Sequence, residues 1–177
     1  MRMKANQRQY VRVLSVYPHH RGFGFAVLEH ERLVDWGLAR LYSKGNDEFL
    51  ARVEAMMVKY RPHIIALEDH MNSRRGERAQ RLVDTVLGYA KFREVETVLV
   101  VQSDVRRILG LQERATIYDV ATCLAEAFPE LTPLVPPKRR PWQSEAERMK
   151  VFQALGLAIV AFPRSSPFGP AFVRRLA

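Results

Sequence analysis

The sequence predicts an α/β fold in which helices flank a mixed five-stranded sheet. Three strand patterns with short links open the chain, helical and strand patterns then alternate, and helical patterns end it. Strands joined by short links pair antiparallel, whereas strands separated by a helix can pair in parallel. The sheet is therefore expected to have three antiparallel strands followed by parallel additions.

The three opening strands are expected at residues 11–16, 23–28 and 33–38. Glycines 22 and 24 fall at the first turn, and the polar run 29–32 makes the second connection. The links are too short for a crossover, so these strands should form a meander.

The later elements are predicted from hydrophobic periodicity and from their ends. Asn46 or Asp47 can cap the first helix, and Ser144 with Glu147 has the spacing of a capping box for the last one. Uninterrupted apolar runs predict that the fourth and fifth strands are buried. These elements are expected in the order helix 46–60, strand 64–67, helix 76–92, strand 97–101, helix 116–128 and helix 144–161.

The 177 residues suit one domain, predicted at 1–162, followed by a loosely ordered proline-containing tail at 163–177. Cys123 is the only cysteine, so no internal disulfide can form. The sequence has neither an apolar run of membrane-spanning length nor a signal-peptide core after its first residues. We therefore expect no membrane association and a cytoplasmic location.

The chain carries 28 Lys and Arg against 19 Asp and Glu, a formal charge of +9. Such a balance favours polyanion binding, because neutralising phosphates releases counterions. A basic surface kept for solubility remains the alternative, since net charge alone does not identify a partner.

Four segments together resemble one known family. They are the opening hairpin with Leu14–Pro18 and Gly22–Val27, the acidic strand end Ala66–Asp69, the segment Ser103–Gly110, and Phe152–Ala158 near the C-terminus. In order and spacing they are similar to motifs of the RuvC-type Holliday-junction resolvases, within the RNase H-like superfamily. The resemblance implies an RNase H-like fold over about residues 11–161.

The resemblance also implies a site where carboxylates hold two Mg²⁺ or Mn²⁺ ions for phosphodiester cleavage. Glu68 stands at one inherited catalytic position, but Tyr17 and Gln153 stand where the family has acids. We therefore expect no ordinary two-metal activity and no cofactor, with Mg²⁺ or Mn²⁺ relevant only if the protein is active.

A shifted ligand set remains the alternative, because other acids and histidines lie near the motif positions in sequence. Each of them also has a structural explanation, such as helix capping or a polar turn. The carboxylate candidates are Glu68, Asp69, Glu145 and Glu147, and the histidine candidates are His19, His20 and His70.

Basic residues follow the fourth and fifth strands and fill a proline-flanked loop. In the implied fold the first two groups should open on the same edge of the sheet as the cleft, although a solvated helix face also needs charges. The candidate nucleic-acid-binding residues are Arg74, Arg75, Arg78, Arg81, Arg106, Arg107, Arg114, Lys138, Arg139 and Arg140.

Three hypotheses about function follow. The first is a protein with a degenerate metal site that binds nucleic acid, with branched or structured DNA as the expected partner. The second is an active metal-dependent endonuclease with an altered ligand set. The third is a non-catalytic scaffold or assembly subunit, marked by an exposed apolar patch. Relatives of the fold often dimerise, so a homodimer or a larger protein complex also stays open.

Overall fold

The computed structural model describes residues 11–30, 32–43, 45–69, 76–140 and 142–162. The predicted tail at 163–177, together with His70, Arg74 and Arg75, lies outside the described residues.

The strands form one mixed sheet in the order β3-β2-β1-β4-β5. Strand β1 pairs antiparallel with β2 and β2 with β3, whereas β1 pairs in parallel with β4 and β4 with β5. The predicted fold class is therefore confirmed. The strand bounds are β1 Arg12–His19, β2 Gly22–Glu29, β3 Arg32–Arg40, β4 Ile64–Glu68 and β5 Glu96–Val100.

Helices cover both faces of the sheet and create two hydrophobic cores. Helices α1 and α2 pack on one face, and α3, α4, α5 and a short 3₁₀ helix contribute to the core on the other face. The helix bounds are α1 Asp47–Tyr60, α2 Glu77–Phe92, α3 Gln102–Ile108, α4 Ile117–Ala127, 3₁₀ Pro129–Leu134 and α5 Met149–Ala161. No helix in these ranges is long and apolar enough to cross a membrane.

Helix α5 is buried along most of its length, because it packs on β1, β2 and β4 while α4 packs against it. Gly24 on β2 permits a close approach: a Cβ atom there would lie 2.4 Å from the Lys150 carbonyl oxygen. Any side chain at this position would push the first turn of α5 away from the sheet.

Three predictions about individual elements were wrong. Asn46 precedes α1, but its side chain forms no capping hydrogen bond and donates to Thr85 instead. Strand β5 is not buried, since Thr97 and Leu99 are exposed and Val100 alone is fully covered. It lies at one edge of the sheet, where β4 is its single neighbour among the described strands. The predicted capping box also fails, because α5 begins at Met149 with no side-chain cap.

Candidate functional site

Tyr17 and Glu68 lie at the same end of two adjacent parallel strands. The pairing of β1 with β4 runs as far as Val16 opposite Leu67, and Tyr17 and Glu68 are the next residue on each strand. Both are nearly buried, with 5% and 4% of their surface exposed. Tyr17 belongs to the core on the α5 side of the sheet.

Gln153 lies on α5, the helix that packs on β1 and β4, and is 4% exposed. Its Oε1 atom is buried and accepts no hydrogen bond from the described residues. Tyr17 is too deeply buried for its ring to stack on a nucleic-acid base. Its burial instead supports the interpretation that the ring fills the space where an acid would stand in the family.

Glu68 accepts a hydrogen bond from Gln102, whose Nε2 atom lies 2.9 Å from Glu68 Oε1. Gln102 is the first residue of α3 and follows β5 after one intervening residue. Sequence reasoning did not identify Gln102 as a partner. Its position just after the strand next to β4 was the signal that could have found it, because neighbouring parallel strands end at the same edge.

Lys150 is a second functional residue that sequence reasoning missed. Its ammonium nitrogen lies 5.6 Å from the centroid of the Tyr17 ring and 3.1 Å from Glu145 Oε2. Residues three apart in a helix share one side, so Lys150 accompanies Gln153 on α5. The helical spacing could have revealed this. A positive charge therefore stands next to the buried Tyr17 ring.

Two of the remaining candidate ligands, Glu145 and Glu147, have other partners. Glu145 pairs with Lys150, and Glu147 lies 3.3 Å from Arg21 and 3.5 Å from Arg40. Burial raises the pKa of the Glu147 carboxyl. The Arg21 hydrogen bond and the charges of Arg40, Arg21 and His19 lower it by more, so the net pKa lies below the ordinary value.

These residues do not fit a centre that binds two divalent cations. Within the described ranges, no group of three or more His, Cys, Asp or Glu side chains could hold a metal ion. Gln153 offers one neutral oxygen, and the ammonium group of Lys150 would repel a divalent cation.

Most of the basic residues predicted on α2 and α3 serve local contacts. Arg78 donates to the Ser43 carbonyl oxygen at 3.1 Å, and Arg106 donates to that of Ala115 at 2.9 Å. Arg81 pairs with Glu77 and Arg107 with Asp104. Arg114 is exposed in the loop before α4.

The loop before α5 and the start of α4 line an open cavity of about 910 Å³. We call it the basic groove, because Lys138, Arg139 and Arg140 line it, as does Arg148, which sequence reasoning missed. The only acid in its lining is Glu145. We call Tyr17, Glu68 and the facing helix residue Gln153 the buried strand ends. Glu145 in the groove lining binds Lys150, which lies next to Tyr17, so this ion pair connects the groove to the buried strand ends.

The loop that carries these cations is fixed by its own hydrogen bonds. Arg139 Nη1 donates to the Gln143 carbonyl oxygen at 2.6 Å, and the Arg140 amide donates to Gln143 Oε1 at 2.9 Å. The Arg140 guanidinium lies 5.6 Å from the centroid of the Trp142 ring. The groove therefore combines preorganised cations with an aromatic face.

No family model matches the chain, and no curated protein matches it. Two solved structures are similar in fold. A Thermus thermophilus RuvC structure matches with a TM-score of 0.65 and 18% identity, covering 94% of this chain and 96% of that one. T. thermophilus RuvC in complex with a Holliday junction substrate matches with a TM-score of 0.64 and 17% identity, covering 94% and 97%. The chain thus has the RuvC-like form of the RNase H-like fold.

Proposed function

We propose that this protein binds nucleic acid, with branched or structured DNA as its target, and does not act as an ordinary two-metal nuclease. The observation that carries the proposal is the basic groove, which lies beside a site whose charges already have partners within the chain. One of the similar structures is RuvC bound to a Holliday junction substrate, which supports nucleic acid as the ligand class.

The charges of the groove support binding to phosphates. Its lining contains four cations and one acid, and the acid is already hydrogen-bonded to Lys150. Lys138, Arg139 and Arg140 are exposed and Arg148 is half-buried, and the charge of Lys138 also acts on Asp119 at the start of α4. Exposed cations release counterions when they meet phosphates, and this release drives binding.

The lack of catalysis is supported by the chemistry at the strand ends. Two-metal cleavage needs carboxylates that offset the charge of both ions. Glu68 supplies one carboxylate, which already accepts a hydrogen bond from Gln102. Lys150 contributes a positive charge where negative charge is required.

The test compares a four-way junction with a linear duplex of the same length, by fluorescence anisotropy in EDTA and then in Mg²⁺ or Mn²⁺. We expect metal-independent binding that favours the junction and weakens steeply between about 50 and 200 mM salt. We expect no cleavage with either metal.

The outcomes of this test distinguish the three hypotheses about function. Failure to bind any nucleic acid at low salt would overturn the proposal and favour a scaffold subunit. Metal-dependent cleavage by the purified protein, abolished in Glu68→Gln, would establish the nuclease hypothesis instead.

A further inference from the structure

Trp142 is a large apolar side chain left in solvent at the basic groove. It is 76% exposed and lines the groove together with Tyr118, Pro136 and Pro137. The other tryptophan, Trp36, is half-buried on β3 and packs against the core on the α5 side. Hydrogen bonds to Gln143 hold the loop on both sides of Trp142, and the Arg140 guanidinium lies 5.6 Å from its ring, so the exposed indole stands beside the cations.

The surroundings of Trp142 restrict what could cover it. An apolar partner would have to desolvate Lys138, Arg139, Arg140 and Arg148 without pairing them, which is costly. A small anion would pair with the cations but leave the indole in water. The lining therefore suits a ligand that offers both negative charges and flat apolar faces.

Unpaired nucleotides offer both, because each has a phosphate and a base with an accessible π-face. A continuous duplex hides its base faces in the stack. Its phosphates can pair with the cations, but its bases cannot stack on the indole. The guanidinium of Arg140 near the ring adds a planar cation that can stack on a base or contact a phosphate.

We propose that the basic groove is a subsite for single-stranded nucleic acid, in which Trp142 stacks on an unpaired base and the surrounding cations contact the phosphates. The inference rests on the proposed function and deepens it, because it names unpaired nucleotides as the part of a branched or structured substrate that enters the groove.

The first experiment uses intrinsic fluorescence. In a Trp36→Phe variant the only tryptophan is Trp142, so its emission reports on the groove alone. Adding oligothymidylate of about 12 nucleotides at low salt should quench this emission, because a base stacks on the ring. The reciprocal Trp142→Phe variant, which retains Trp36, should show little quenching.

The second experiment separates stacking from charge. An abasic oligonucleotide of the same length carries the same phosphates without bases. The unmodified protein should bind oligothymidylate about tenfold more tightly than the abasic strand. Trp142→Ala should remove this difference, Trp142→Tyr should restore most of it, and binding to a linear duplex should stay nearly unchanged. Tyr42→Ala is the matched control, since Tyr42 is 82% exposed outside the groove lining.

Several results would overturn the subsite. One is equal binding of the oligothymidylate and the abasic strand. Another is an equal loss of single-strand and duplex affinity in Trp142→Ala. Quenching by polyglutamate as strong as that by oligothymidylate would point to an acidic peptide instead. If junction binding persists in these cases, only the subsite fails; if no nucleic acid binds at all, the proposed function fails as well.

Discussion

The buried strand ends and the basic groove meet at the Lys150–Glu145 pair, yet they differ in what they offer a ligand. At the strand ends, Tyr17, Glu68 and Gln153 are 4–5% exposed. In the groove, Lys138, Arg139 and Arg140 are exposed, and hydrogen bonds to Gln143 hold Arg139 and the backbone of Arg140. Burial and charge compensation therefore close the first region to a charged ligand, whereas exposure leaves the cations of the groove accessible.

Reversal of the charge of the groove should have the greatest effect on nucleic-acid binding. Lys138→Glu combined with Arg140→Glu should weaken nucleic-acid binding about a hundredfold at moderate salt, because two phosphate contacts become repulsive. The slope of log affinity against log salt should fall by about two. Titrations at several salt concentrations measure both quantities.

The matched control applies the same charge change elsewhere. Lys91 and Arg93 are exposed at the end of α2, which packs on the opposite face of the sheet. Reversal of both should alter affinity only through net charge, by far less than the groove variant. Equal losses of nucleic-acid affinity in the two double variants would mean that binding depends on net charge and not on the basic groove.

The next largest effect concerns the packing that closes the buried site. Gly24→Ala should destabilise the protein by about 2 kcal/mol, because the new methyl would lie 2.4 Å from the Lys150 carbonyl oxygen and α5 must shift. Gly88→Ala is the control. Gly88 is exposed in α2 with open space around it, so alanine there should stabilise by about 0.5–1 kcal/mol. Thermal unfolding measures both, and an unchanged melting temperature for Gly24→Ala would contradict the close packing.

A smaller effect tests whether Lys150 is the barrier to metal binding. Tyr17→Asp with Gln153→Asp should gain no stability from Mn²⁺ while Lys150 remains. Adding Lys150→Ala should allow Mn²⁺ to stabilise the protein. At a free Mn²⁺ concentration of about ten times Kd, the free energy of unfolding should rise by about 1.4 kcal/mol and the melting temperature by about 4 °C. Tyr17→Asn with Gln153→Asn controls for lost packing, because it changes shape in the same way without adding charge.

Either of two results would show that Lys150 is not the barrier to Mn²⁺ binding. Mn²⁺ could stabilise the double aspartate variant as strongly as the triple variant, in which case the ammonium group does not exclude the ion. Mn²⁺ could also fail to stabilise the triple variant although it remains folded, which would mean that the backbone no longer holds the ligand geometry of a two-metal site.

The sequence predicted the sheet well because apolar runs and short links determine which strands form and how they pair. It also placed Tyr17 and Glu68 at the ends of adjacent strands and Gln153 on the last helix, because motif order fixes the element on which each residue lies. It did not predict that β5 is exposed, since an apolar run does not reveal which strand lies at the edge. The roles of Lys150 and Gln102 depend on side-chain directions across three elements, which hydrophobic periodicity does not encode.

The capping box failed for a related reason. Ser144 and Glu147 have the right spacing, but α5 begins only at Met149, and Glu147 is paired with Arg21 and Arg40 across the molecule. The spacing of a local motif did not reveal that the Glu147 carboxylate pairs with residues distant in the sequence. The loop that would have been the first turn of the helix instead lines the basic groove.

The smallest predicted effect comes from this ion pair and depends on pH. The folded-state pKa of Glu147 lies below its ordinary value of 4.5. Its contribution to stability is therefore complete above that value and is lost as the pH falls through the folded pKa. Glu147→Gln should lower the free energy of unfolding by less than about 1 kcal/mol at pH 7, because water screens a half-exposed pair.

The same substitution should slightly strengthen nucleic-acid binding at pH 7. It removes a negative charge between two residues that line the groove, and it frees Arg21 and Arg40. Denaturant unfolding of both proteins at several pH values measures the stability difference, which should vanish well below pH 4.5. A difference that persists in acid would mean that Glu147 stabilises α5 by packing rather than by charge.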